Sequence, residues 1–164
     1  MNVDLILSTF NEAGADYILI GGMNFYIVHA PVSTHDVDLW VADGELNLRA
    51  VHAALGKLSA EVCFDSKGEN WQLVAQLADW TWLRRAPLFC LNSPHGSIDV
   101  FRFVRGLEAG YEMLRDLCPQ RRTPTDVPFR SLSDALMIQC QLALSEAERK
   151  QDRLRTLGYR EIRH

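Results

Sequence analysis

The sequence predicts an α/β (α+β) fold, a small mixed sheet flanked by helices, and three observations carry that prediction. One apolar run, Ile18-Leu19-Ile20, ends in Gly21-Gly22. A second, Leu39-Trp40-Val41, follows Asp36-Val37-Asp38. Around them lie stretches whose apolar residues recur every three or four positions, the helical period. Short buried strands in mixed order with amphipathic helices pack as a sheet covered by helices.

Asp4 to Ala13 reads as a short amphipathic helix with Leu5, Ile6 and Phe10 on one side, ended by Gly14-Ala15-Asp16. Tyr17 to Ile20 is a buried strand. The glycine pair turns the chain into a helix from about Met23 to Ala30, stopped by Pro31. Asp36 to Val41 is the central strand. Asp43 is placed to cap a helix from Gly44 to about Leu58 that turns Leu46, Val51, Leu55 and Leu58 inward. Ala60 to Phe64 reads as a strand and Asp65 to Asn70 as a loop. Trp71 to Leu83 fits helix or strand, with Trp71, Trp80 and Trp82 mainly as packing residues. Pro87 to Leu91 and Ser97 to Phe103 form a hairpin around Asn92-Ser93-Pro94-His95-Gly96. Gly106 to Leu117 reads as a helix, and Pro119 to Phe129 as turns with room for a short strand pair. Ser131 or Ser133 caps a helix to about Leu144. A last helix runs from about Glu146 to Leu157, ended by Gly158. The helical C-terminal segment is thus about 131–158, within a single domain spanning 1–164.

Composition sets bounds on this reading. A chain of 164 residues fits one domain with a real core. No apolar run reaches the length of a membrane span, and Met1-Asn2-Val3-Asp4 lacks the basic start of a secretory signal. The expectation is a cytoplasmic protein with no membrane partner. Cys63, Cys90, Cys118 and Cys140 are widely spaced without a C-x-x-C pair, so they read as buried reduced thiols. The net charge of −4 argues against broad nonspecific binding to nucleic acid. Charge is uneven, however: Arg149, Lys150, Arg153, Arg155, Arg160 and Arg163 outnumber Glu146, Glu148, Asp152 and Glu161 near the C-terminus. Smaller basic clusters at Arg84-Arg85, Arg102/Arg105 and Arg121-Arg122 read as solvated surface.

The chemistry concentrates between Gly21 and Asp38. Two aspartates two apart on a strand point to the same face. Side by side they repel unless a cation or a proton sits between them. Asp99, within Ser97-Ile98-Asp99-Val100-Phe101, offers a third carboxylate. Hard oxygen ligands of this kind suit Mg2+ or Mn2+. Gly21 and Gly22, at the start of a helix, bring backbone N–H groups within reach of phosphate. The residues alone therefore imply a metal beside a phosphate cradle. His35 either contacts substrate or is exposed without a role. His29 packs or caps its helix, His95 is a turn residue, and Asp43, Asp79 and Asp134 read as caps or surface charges.

Gly-Gly, a gap of about a dozen residues, Asp-x-Asp and a later lone Asp in a strand resemble the nucleotidyltransferase superfamily, the fold group of DNA polymerase beta. The chain is similar in particular to small bacterial nucleotidyltransferase-like proteins related to toxin–antitoxin and abortive-infection systems. The likeness runs from about Ala15 to about Leu157 and includes the helix start Leu132-Ser133-Asp134-Ala135-Leu136. The resemblance implies transfer of a nucleoside monophosphate from an NTP such as ATP to an unknown acceptor (protein, RNA or small molecule), with pyrophosphate release. It implies Asp36 and Asp38 as ligands of the metal carrying the triphosphate, Asp99 on a second metal, and Gly21, Gly22, Thr34 and His35 around the substrate.

The sequence also departs from that pattern. Val32 stands where relatives often have arginine, and Gln139 and Gln151 where they have lysine. Such cations neutralise triphosphate charge or hold a partner. Lys150, Arg149 or Arg102 are the candidates to compensate. The alternative expectation is a catalytically degenerate protein of the same fold, a binding partner in a toxin–antitoxin or regulatory pair. A hydrolytic metal protein is the weaker third reading, since no Ser-His-Asp or Cys-His arrangement assembles.

Overall fold

A computed structural model of the protein describes residues 1–160. Glu161 and Arg163 of the basic C-terminal stretch lie outside the described residues. The chain begins with α1 (Val3–Glu12), whose first turn is capped by the Asn2 side chain accepting from the Leu5 N–H at 3.0 Å. Strand β1 (Tyr17–Ile20) leads directly into α2 (Gly21–Val28). Then follow β2 (Asp36–Val41), α3 (Glu45–Lys57), β3 (Glu61–Cys63) and β4 (Trp71–Leu73). The hairpin β5 (Leu88–Leu91) and β6 (Ser97–Phe101) comes next, then α4 (Tyr111–Leu114), β7 (Gln120–Arg122) and β8 (Pro128–Arg130). Helices α5 (Asp134–Leu142) and α6 (Gln151–Thr156) close the described chain.

The main sheet has the order β1-β2-β6-β5. The β2–β6 pair is parallel and its outer neighbours are antiparallel, so the sheet is mixed. Alternation along the strands divides its side chains between two apolar layers. Val37, Leu39, Val41, Ile98 and Val100 pack on Ile6, Leu7 and Phe10 of α1 and Leu48, Val51 and Leu55 of α3. Ile18, Ile20 and Trp40 face the other way, onto Phe25 of α2, Tyr111 of α4, and Leu136 and Met137 of α5. Because Asp36 and Asp38 share Trp40's parity, both lie on this second face.

Several expectations need correction. The glycine pair is the first turn of α2 rather than a turn ahead of it, and the helix stops at Val28. Leu5 and Leu46 are exposed, and Leu7 and Leu48 fill the core instead. Gly44, not Asp43, sits at the N-cap of α3, and Asp43 accepts from the partly buried Arg102 guanidinium at 2.9 Å. The stretch Trp71–Leu83 is a three-residue strand followed by 3-10 turns, and of its tryptophans only Trp82 is buried. Gly106 to Leu117 is not one helix. Gly106 (φ +92°) and Gly110 (φ +94°) break the segment, which leaves the short α4 and a 3-10 turn. Of the two capping candidates Ser133 caps α5, and the two C-terminal helices are there but shorter than expected, with 143–150 non-helical between them. Of the cysteines only Cys118 is buried, while Cys90 is exposed.

No helix among the described residues is long and apolar enough to cross a membrane.

Candidate metal and phosphate site

The register of the central strands builds the site. Asp38 on β2 lies directly opposite Asp99 on β6, and Ile20, the last residue of β1, lies opposite Asp38 on its other side. Asp36 is one step back on the same face. Carboxylate oxygens of Asp36, Asp38 and Asp99 all lie within 4.8 Å of one another. Asp38 Oδ1 is buried with no hydrogen-bond partner, an arrangement that is costly unless a cation or proton completes it. Three half-buried carboxylates with one orphaned oxygen fit a hard divalent ion such as Mg2+ or Mn2+.

The electrostatics point the same way. Burial first, then the charges of Asp99 and Asp36, push the Asp38 carboxyl up from 3.8 to about 7, while Arg153 opposes the rise. Burial and the Asp36 charge also raise Asp99. The folded protein therefore holds a proton on Asp38 between about pH 4 and pH 7 that the unfolded chain releases. The stability tied to that proton is fully present below the ordinary carboxylate range and is lost as pH rises through about 7. Thermal melts of metal-free protein should accordingly fall in midpoint from pH 5 to pH 8, and Asp38→Asn should flatten that profile. A midpoint that climbs over this range contradicts the carboxylate cluster.

The glycine pair fits closely around these groups. Gly21 adopts φ +70°, and a Cβ there would lie 2.3 Å from Asp38 Oδ2. Only glycine allows both the left-handed backbone and the contact. A Cβ on Gly22 would lie 2.9 Å from Thr34 Oγ1 and 3.2 Å from Arg153 Nη2. The free N–H groups of the first turn of α2 thus open beside the carboxylates, between Thr34 and Arg153. Thr34 donates to the Asp36 carbonyl at 3.4 Å and holds the entry to β2. His35 is exposed and makes no hydrogen bond among the described residues. His29, at the C-cap of α2, has its Nε2 2.8 Å from Asp134 Oδ1 and lies at the far end of that helix.

Two residues of the site escape sequence reasoning. Arg153 arrives from α6, over a hundred residues away in sequence, with its guanidinium 5.7 Å from the Phe25 ring centroid. Among the described residues it is the cation that reaches the glycine pair. Arg149 instead donates to the Leu142 and Leu144 carbonyls, and Arg102 to Asp43. Cys90 lies across from Asp99 on β5, in the register that pairs the two residues. Partial desolvation of its sulfur, although the residue is exposed overall, and the Asp99 charge raise the thiol to about 11, which keeps it neutral. The antiparallel pairing of β5 and β6 was the one sequence signal for this contact. At the positions lacking family cations, Gln139 donates to the Gly106 carbonyl at 2.6 Å, Val32 packs against the second apolar layer, and Gln151 is exposed. Beside Gly21 and Arg153, a cavity of about 130 Å³ is walled by Ile20, Phe25, Leu132, Met137 and Leu157.

Neither known protein-family models nor curated protein sequences match the chain.

Proposed function

We propose that the protein is a metal-dependent nucleotidyltransferase with a nucleotidyltransferase-like fold. It takes a nucleoside monophosphate from an NTP to an acceptor and releases pyrophosphate. The observation that carries this reading is the orphaned Asp38 oxygen in a three-carboxylate cluster, set against a glycine pair that opens a helix. Asp36, Asp38 and Asp99 would hold Mg2+ or Mn2+, which when bound supplies charge neutralisation at the transferring phosphorus. The first-turn N–H groups of α2 bind phosphate oxygens, and Thr34 fixes the loop above them. Arg153 neutralises triphosphate charge from the opposite side, the role left open by Val32, Gln139 and Gln151. The apolar cavity beside Arg153 gives the nucleoside a dry wall. Asp99, raised by burial and by the Asp36 charge, is placed to accept the acceptor's proton.

Arg153→Gln should weaken NTP binding by about tenfold, since one charge-assisted contact is worth roughly 1.5 kcal/mol or more, with an unchanged fold. Equal affinity in the variant would remove Arg153 from the site. The reaction itself is tested by incubating each α-labelled NTP with Mg2+, the protein and an extract containing protein and RNA. Label should pass to a macromolecule with wild type and not with Asp99→Ala.

A binding-only member of the same fold is the second reading, favoured by the uncharged Val32 and Gln139, both committed to packing or loop support. Nucleotide binding without transfer to any fraction would select it.

A further inference from the structure

We propose that the apolar cavity beside Gly21 and Arg153 takes a single-ring base with a carbonyl at its outer edge, which makes UTP the preferred nucleotide, and that the Gln141 side chain reads that edge. The inference deepens the transferase reading and rests on it. Gly21 and Arg153 both flank the phosphate cradle and line the cavity. A nucleotide with its phosphates on the first turn of α2 therefore sets its nucleoside against this space. Size gives the first limit. The cavity measures about 130 Å³ and is walled by Ile20, Phe25, Val104, Leu132, Met137 and Leu157. A dry apolar cavity of roughly 150 Å³ is filled by one benzene ring. A pyrimidine matches that size. The second ring of a purine would have to displace Phe25, Leu132 and Met137, which are buried in the second apolar layer, and overfilling a close-packed wall is destabilising.

Hydrogen bonding gives the second limit. Four carbonyls of lining residues are already taken. Phe25 accepts from the His29 N–H at 2.9 Å, Val104 from the Leu107 N–H at 3.0 Å, and Gln141 from the Leu144 N–H at 3.1 Å. The Leu132 carbonyl accepts from Asn24 Nδ2 at 3.2 Å. The Gln141 side chain also lines the cavity, and its Oε1 accepts the Lys150 N–H at 2.7 Å. That bond fixes the carboxamide and leaves Nε2 as an uncommitted donor among the described residues. The other polar side chains of the lining are Arg153, a donor, and Cys140. Burial first, then Glu108, pushes the Cys140 thiol up to about 11, so it stays neutral. The polar side of the cavity is therefore a set of donors. Uracil presents the O4 carbonyl where cytosine presents an amino group. Against donors the carbonyl pairs, whereas the amino group is left facing N–H groups, the kind of mismatch that a dry site rejects most strongly.

The test is calorimetric titration of UTP, CTP, ATP and GTP with Mg2+ into wild type, Gln141→Glu and Gln141→Leu. Wild type should bind UTP at least about tenfold more tightly than each of the other three. Gln141→Glu keeps one oxygen for the Lys150 N–H and turns a second acceptor toward the base. The ratio of CTP to UTP affinity should then rise by at least about tenfold. Gln141→Leu should erase the difference between UTP and CTP while both still bind more tightly than the purine nucleotides. Each ratio is taken within one protein, so a change in triphosphate affinity shared by all four nucleotides cancels. Mg2+-dependent binding of all four with equal affinity, tighter binding of a purine nucleotide, or a UTP-to-CTP ratio that neither substitution moves would overturn the proposal and leave the transferase reading standing. No Mg2+-dependent binding of any nucleotide would overturn that reading, and this inference with it.

Discussion

Replacing Asp36 and Asp38 together by asparagine should abolish metal-dependent nucleotide transfer, by at least about 10³-fold, because a lost metal forfeits several kcal/mol of charge stabilisation in the transition state. The same substitution should make the metal-free protein more stable above pH 7. Three carboxylates with ligand oxygens within 4.8 Å repel one another once ionised, and the burial of Asp38 deepens the cost. Relief is expected to be roughly 1–2 kcal/mol, or about 2–8 °C in Tm for a domain of this size. Loss of function with a gain in stability is the mark of residues strained for a task. Calorimetric melting beside the transfer assay checks both halves. Lower stability with retained transfer would make the carboxylates structural.

Gly21→Ala should be nearly as severe for a different reason. The new methyl would meet Asp38 Oδ2 at 2.3 Å while the backbone is held at φ +70°. The left-handed conformation costs an L-residue about 1–2 kcal/mol, and the collision forces Asp38 out of the cluster. The expected outcome is destabilisation of about 2–3 kcal/mol together with loss of Mn2+ binding, followed by denaturant melts and by the paramagnetic signal of bound Mn2+. Gly22→Val separates the two effects. Its Cβ would press on the Thr34 hydroxyl and Cβ and on the end of Arg153, of which the hydroxyl and the guanidinium can yield. Phosphate approach should suffer more than folding. A Gly22→Val protein that does not fold would assign that turn a purely structural role.

The parts of the fold legible in sequence are those set by local pattern. Tyr17–Ile20 and Asp36–Val41 were readable to the residue because apolar runs end abruptly at Gly21 and begin abruptly after Asp38. The β5–β6 hairpin was readable from its turn residues. Reading failed where backbone conformation overrides periodicity. Gly106 to Leu117 has helical spacing, but Gly106 closes against Ala143 and Gln139 of the α5 end in a left-handed conformation. It failed again where a distant partner decides. Asp43 suits a helix cap, yet the partly buried Arg102 guanidinium takes it. The three carboxylates of the candidate site followed from the two-residue period of strands. Arg153 did not, because nothing local in Gln151-Asp152-Arg153-Leu154 distinguishes an arginine turned to the sheet from one turned to water; only Leu154, buried beside it, anchors that face.

The most direct test of the central claim is calorimetric titration of ATP, GTP, CTP and UTP, with and without Mg2+, into wild type and the Asp36→Asn/Asp38→Asn variant. The account predicts that at least one nucleotide binds wild type, requires Mg2+ to do so, and fails to bind the variant. Binding that ignores Mg2+ and survives in the variant, or no binding of any nucleotide, would contradict it.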